Sequence, residues 1–147
     1  MDDVLRQMEE GPWLYADKDP AALAILEARI ARAAASEDRT ITYSELVRGV
    51  EFKLPDGSSY EISDFQNHGF DSRLIGDFLG YICKRSYEKA GFMASAAVVM
   101  KEDGKPSLPF FKWMTKLGVL QRANDNKALE FWIEQLDKAH NYYKALS

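Results

Sequence analysis

Apolar residues recur along this chain at two spacings, three-to-four and two, and the points where one gives way to the other divide it into elements. From Pro20, a residue suited to a first helical turn, PAALAILEARIARAAASE puts Leu23, Leu26, Ile30 and Ala33 three and four apart. That spacing predicts an amphipathic helix with Arg29 and Arg32 toward its polar side. TITYSELVRGV reads as a short strand entering a helix, because Thr42 and Glu45 fit the Ser/Thr-x-x-Glu capping box. In EFKLPDGSSYEI the period drops to two: Phe52 and Leu54 alternate on one side, Tyr60 and Ile62 answer them, and PDG supplies the turn of a hairpin. DFQNHGF is a loop.

DSRLIGDFLGYICKRSYEKAG predicts a long helix starting near Asp71, with Ile75, Phe78, Leu79 and Ile82 on one face, Leu74 and Tyr81 widening it, and Gly91 as its stop. Gly76 and Gly80 each cost about 1 kcal/mol against Ala in a helix, so close approach of another backbone is expected there. Ala94 to Met100 is short, apolar and β-branched at Val98 and Val99, which predicts a buried strand, and KEDGK is a turn. PSLPFFKWMTKLGVL gives a loop and a short helix. The last segment, NDNKALEFWIEQLDKAHNYYKAL, is a long helix. Its Leu129, Trp132, Leu136, Ala139 and Tyr143, with Phe131 and Tyr142 beside them, form a broad aromatic face that closes the core or, alternatively, makes a homodimer seam. Residues 1–19 read as an N-terminal arm, a short helix followed by an irregular GPWLY segment that packs Trp13 and Leu14 onto the body; residues 20–147 read as one compact domain. The expected fold is α+β, mainly helical, with five or six helices, a β-hairpin and short strands.

Composition narrows the function classes. A chain of 147 residues with 46% hydrophobic and 29% charged residues builds a single core of ordinary size. Cys83 is the only cysteine and His68 and His140 the only histidines, so an internal disulfide, a cysteine metal cluster and a multi-histidine site are all excluded. The acidic start, MDDVLRQMEEGPWLYADKDP, lacks the basic and apolar regions of a secretory signal, and no segment reaches the roughly 20 apolar residues of a bilayer span, so a cytoplasmic location without membrane attachment is expected.

Net charge is −4, but residues 73–122 hold nine basic residues against four acidic ones, net +5, which leaves −9 for the remainder. The lysines are either scattered and solvated or form a basic face for an anionic partner. No phosphate loop, dinucleotide fingerprint, HExxH or GxSxG occurs, and no carboxylate pair has general acid/base spacing, so neither a cofactor nor catalysis is expected. Cys83, beside Lys84 and Arg85, is a lowered-pKa nucleophile if exposed and a small hydrophobe if buried. His68 reads as a turn residue and His140 as helix surface.

Three pieces in order, TYSEL at 42–46, RLIGDFL at 73–79 and ASAAVVMKEDGKPS at 94–107, resemble the C-terminal DNA-binding half of alkylguanine DNA alkyltransferases and alkyltransferase-like proteins, whose pattern runs from TYGELA through RAVGxAL to PCHRVV and a DG turn. The resemblance implies a modified winged-helix-like core, minor-groove binding and an arginine that takes the place of a base flipped from the stack. Tyr43 matches the family tyrosine, Arg73 the arginine opening the recognition helix, and Gly76 its packing glycine. Where the family has Pro-Cys-His-Arg this chain has Ala94, Ser95, Ala96 and Ala97, which removes the nucleophile and its histidine and so excludes alkyl transfer. The hairpin is also inserted between the two helices where the family has a tight turn.

The sequence therefore predicts a non-enzymatic binding domain contacting nucleic acid, DNA in particular, through Tyr43, Arg73, Lys84, Arg85, Lys101 and Lys105. Its rival is a protein-interaction module, regulatory, antitoxin-like or immunity-like, using the acidic termini or the aromatic last helix. A third reading is a small hydrolase or transferase with Ser95 or Cys83 as nucleophile.

Overall fold

The computed structural model describes residues 3–10, 13–65, 69–121 and 125–147; His68 and Arg122 lie outside them. Among the described residues the chain runs α1 (Asp3–Glu10), a 3-10 turn (Ala16–Lys18), α2 (Pro20–Ala35), β1 (Ile41–Thr42), α3 (Tyr43–Val47), β2 (Glu51–Lys53), β3 (Ser59–Glu61), α4 (Gly69–Ala90), a second 3-10 turn (Ala94–Ala97), β4 (Val98–Val99), α5 (Leu108–Leu117) and α6 (Asp125–Leu146). This is a mainly helical α+β fold. None of its described helices is long and apolar enough to cross a membrane.

The most deeply buried stretch is Phe92 to Val99, where no residue exceeds 4% exposure. The short buried strand expected over Ala94 to Met100 begins instead as a 3-10 turn through Ala94–Ala97, and only Val98–Val99 pairs, parallel, with Ile41–Thr42. Its partner β1 is two residues long, so the backbone before Val98 has no ladder to join and its polar groups need other partners. Side chains supply them. Ser86 Oγ donates to the Phe92 carbonyl at 2.7 Å and accepts from Ala94 N at 3.0 Å. Met93 N donates to Gln135 Oε1 at 2.7 Å, and Trp132 Nε1 donates to the Ala96 carbonyl at 2.8 Å. The buried polar residues Ser86 and Gln135 thus serve this segment and fix α4 and α6 around it.

Around that axis the helices follow their patterns with instructive shifts. α2 starts at Pro20 and is capped by Asp19, whose Oδ1 accepts from Ala22 N at 3.2 Å while Oδ2 accepts from Lys53 N at 2.8 Å, tying the helix to the hairpin. It buries Leu23, Leu26, Ile30 and Ala34; Ala34, not Ala33, faces inward. α6 closes the core: Leu136 and Ala139 are buried, and Phe131, Trp132, Tyr142 and Tyr143 pack partly buried against it. His140, expected on the surface, instead places Nδ1 2.9 Å from the Ala34 carbonyl, so it bridges α6 to the last turn of α2. β2 pairs antiparallel with β3, Phe52 opposite Tyr60, and Phe52 meets Phe78 of α4 edge to face at 5.2 Å. In the arm, Trp13 packs onto the body as expected, whereas Leu14 is 56% exposed.

Replacing Gln135 by Leu keeps its bulk but leaves the buried Met93 N–H without an acceptor, which costs about 1–3 kcal/mol. Glu134→Ala, one residue away in an exposed i,i+4 pair with Lys138, changes stability by less than about 0.5 kcal/mol. Urea denaturation of the two variants checks the contrast; equal effects would contradict the role given to Gln135.

Candidate functional site

The N-terminal half of α4 turns Ser72, Ile75, Gly76, Leu79 and Gly80 to one side, the spacing of a single helix face. Opposite stand Trp13 from the arm, Tyr43 from α3, Phe65 from the loop after the hairpin, Ser95 from the buried turn, and Ser107, Pro109, Phe110 and Trp113 from α5 and its approach. Together they enclose a cavity of about 340 Å³. Five aromatic rings and four hydroxyls line it, and among the described lining residues none is charged.

Local structure fixes each wall. Thr42 and Glu45 form the capping box expected from sequence, and Tyr43 is the first residue of the helix they cap. The Tyr43 ring stacks on Phe65, centroids 5.3 Å apart and nearly parallel, and its hydroxyl lies 3.1 Å from Ser107 Oγ while accepting from Ser107 N at 3.4 Å. Burial raises the Tyr43 phenol pKa, with the Ser107 hydrogen bonds acting in the opposite direction, so the ring stays neutral. Ser95 Oγ, on the floor, lies 3.0 Å from Cys83 Sγ and so faces a thiol instead of a base. Cys83 is fully buried, and desolvation pushes its thiol up to about 11 despite the Ser95 contacts; of its two expected states the small hydrophobe is the one realised.

Trp13 is set by α4. Asp77 Oδ1 accepts from Leu14 N at 2.9 Å, and Oδ2 from Tyr15 N at 3.0 Å and Ala16 N at 2.8 Å. The indole lies on Gly80, where an added Cβ would come 2.9 Å from Trp13 Cζ3 and 3.6 Å from Trp113 Cη2. Gly80 therefore admits side chains, not the second backbone expected. At Gly76 a Cβ would meet nothing within 4 Å, so that glycine leaves the cavity open instead of packing. Trp13 Nε1 is buried with no hydrogen-bond partner among the described residues, an omission that costs about 1–3 kcal/mol.

Of the sequence-predicted contact residues only Tyr43 lines the cavity. Arg73, next to Ser72 and one turn from Gly76, is exposed, with its guanidinium 6.0 Å over the Phe70 ring. Lys84, eleven residues on and hence on nearly the same stripe of α4, lies 5.6 Å over Tyr81, with the Asp77 attachment of the arm between the two. Arg85 faces α2 instead, Nε 2.7 Å from Glu27 Oε2, and Lys101 and Lys105 are exposed in the turn after β4. Arg85 also lines a groove of about 630 Å³ with Arg32 and Lys89, at the place where α2, α4 and α6 all end. Arg32 and Lys89 sit in the last turns of α2 and α4 and offset those two C-termini, while Arg85 is paired with Glu27, which also lines the groove. Phe65, Ser72, Ser107 and Pro109 had no sequence signal beyond their aromatic or turn character.

Comparison with protein-family models, with curated proteins and with solved structures finds no match to this chain.

The raised Cys83 pKa has two consequences. Iodoacetamide at about pH 8 leaves the folded protein unmodified and alkylates it only on unfolding, because Cys83 is buried and its thiolate fraction in the folded state is near one in a thousand. Since the unfolded thiol titrates first, the unfolded state loses its proton while the folded state keeps it, and stability falls as pH rises from the ordinary thiol value of 9.0 to about 11. Mass spectrometry and pH-dependent denaturation check these; alkylation of the native protein at the rate of a free thiol would contradict both.

Proposed function

We propose that this chain is a non-enzymatic nucleic-acid-binding domain that holds one unpaired base in the aromatic cavity while exposed cations beside it meet backbone phosphates. The observation that carries this reading is the neutral cavity itself, with Arg73 exposed beside its lining residues. Every base has a π-face, and stacking on an aromatic side chain contributes about 1–3 kcal/mol per base. Base edges carry donors and acceptors that hydroxyls complement without regard to charge. At about 340 Å³ the cavity lies at the small end of ligand sites, which run from about 300 to 1,000 Å³.

The resemblance to alkyltransferases adds a second, independent line. Tyr43 and Ser95, which align with that family's tyrosine and reactive cysteine, both line this one cavity although they are distant in sequence. With Ser95 turned to Cys83 and no histidine beside it in the sequence, the site is suited to holding a base and not to transferring a group from it. In this reading α3, the hairpin and α4 form a modified winged-helix arrangement with α4 nearest the nucleic acid. The rival, a protein-interaction module docking through α6, has less to work with: that helix commits most of its aromatic face to its own core and leaves Ile133 and Leu146 as its exposed large apolar side chains.

Fluorescence anisotropy with a labelled single-stranded oligonucleotide of about 12 nucleotides tests the proposal. Affinity should fall as salt rises from about 50 to about 200 mM, and Arg73→Ala should reduce the slope of log K against log salt by about 1. Trp113→Ala should weaken binding by about 1–3 kcal/mol at every salt concentration and leave the slope unchanged. No binding at the lowest salt, or binding indifferent to salt, would remove the nucleic-acid reading.

A further inference from the structure

We infer that the N-terminal arm is a working wall of the cavity, with Trp13 as a ligand-contacting residue and Asp77 as the residue that positions it. The inference deepens the proposal above and rests on reading the cavity as a site for a flat ring. Asp77 uses both carboxylate oxygens on three consecutive backbone N–H groups of the arm, Leu14, Tyr15 and Ala16. A side chain on α4 thus grips main chain just past Trp13 and fixes where that ring lies. Lys18 Nζ adds a contact to the Trp13 carbonyl at 3.2 Å.

The space for the ring is made by α4 itself. Gly80 has no side chain at the point where the Trp13 and Trp113 indoles converge, and any Cβ would force Trp13 outward. A tryptophan that only sealed the apolar side of α4 would be expected to satisfy its own N–H, yet Trp13 Nε1 is buried without an acceptor among the described residues. The same ring borders the cavity, so a bound ring gains a second aromatic face from the arm while the rest of the cavity is supplied by the body. A wall added in this way slows escape of a bound ring more than it affects its entry, so its contribution falls on the dissociation rate.

The test uses 1-aminoanthracene, a neutral flat fluorophore, on the full chain and on Asp77→Asn, Trp13→Leu and Gly80→Ala, with stopped-flow dissociation and hydrogen exchange at the amides of residues 14–16. Each variant should release the probe about tenfold faster or more with little change in association rate. Asp77→Asn should speed exchange at those three amides and leave core amides unchanged, an outcome that general destabilisation of the fold would not give. Should Gly80→Ala fail to fold, Asp77→Asn and Trp13→Leu carry the test. Wild-type dissociation rates in both, or no probe uptake by the unaltered chain, would overturn the inference. The same variants titrated with the oligonucleotide separate the two readings. Probe uptake that responds to the variants without oligonucleotide binding upholds the arm's role and removes the nucleic-acid function; oligonucleotide binding indifferent to all three variants does the reverse.

Discussion

The segment from Phe92 to Val99 sets the constraint that the rest of the fold answers. Eight successive residues lie in the interior, yet among the described residues they join only a two-residue parallel ladder, so the remaining N–H and C=O groups need other partners. An unmet group costs a sizeable fraction of the 5–15 kcal/mol by which domains are typically stable, about 1–3 kcal/mol each. Ser86, Gln135 and Trp132 meet four of these groups from two different helices, and Ala96 N and Val98 N bond back to Met93 and Ser95 within the segment. Hydrophobic burial brings α4 and α6 to this segment; the hydrogen bonds determine the rotation at which they arrive.

That arrangement determines what the cavity contains. The 3-10 turn through Ala94–Ala97 presents small residues to α4, so Ser95 becomes a floor instead of a plug. β4 beside β1 holds the capped start of α3, from which Tyr43 reaches Ser107. The charged side chains of α4 point elsewhere: Asp77 to the arm and Arg85 to Glu27. What remains around the hollow is a set of rings and hydroxyls, chemistry suited to holding a flat neutral group by stacking and edge contacts. Positive charge stays outside, as at the exposed Arg73.

Elements governed by local rules were legible in the sequence. The capping box at Thr42 and Glu45, the Pro20 start, the PDG hairpin and the Gly91 stop, at φ 74°, depend on neighbours within a few residues and form as read. The departures have one physical source, partners distant in sequence. Ala94 to Met100 reads as a strand until the brevity of β1 limits it to two paired residues. Gly80 marks a close approach, but which group approaches is decided by Trp13, 67 positions earlier in the chain. His140 reads as surface because nothing near it announces the Ala34 carbonyl. Of the cavity, sequence singled out Tyr43 as a contact residue and Ser95 as a candidate nucleophile, and read Gly76 only as a packing glycine; the aromatic ring set assembled from arm, loop and α5 needed the fold.

The central claim is that this interior, built to satisfy one irregular buried segment, leaves a ring-binding cavity as the functional surface. A ¹H–¹⁵N NMR titration with the single-stranded oligonucleotide tests it most directly. The account predicts that the amides of Gly76 and Gly80 and the indole N–H signals of Trp13 and Trp113 shift together and saturate at one stoichiometry. Shifts confined to the Lys101–Lys105 turn or to α6, with those four signals unmoved, would contradict it.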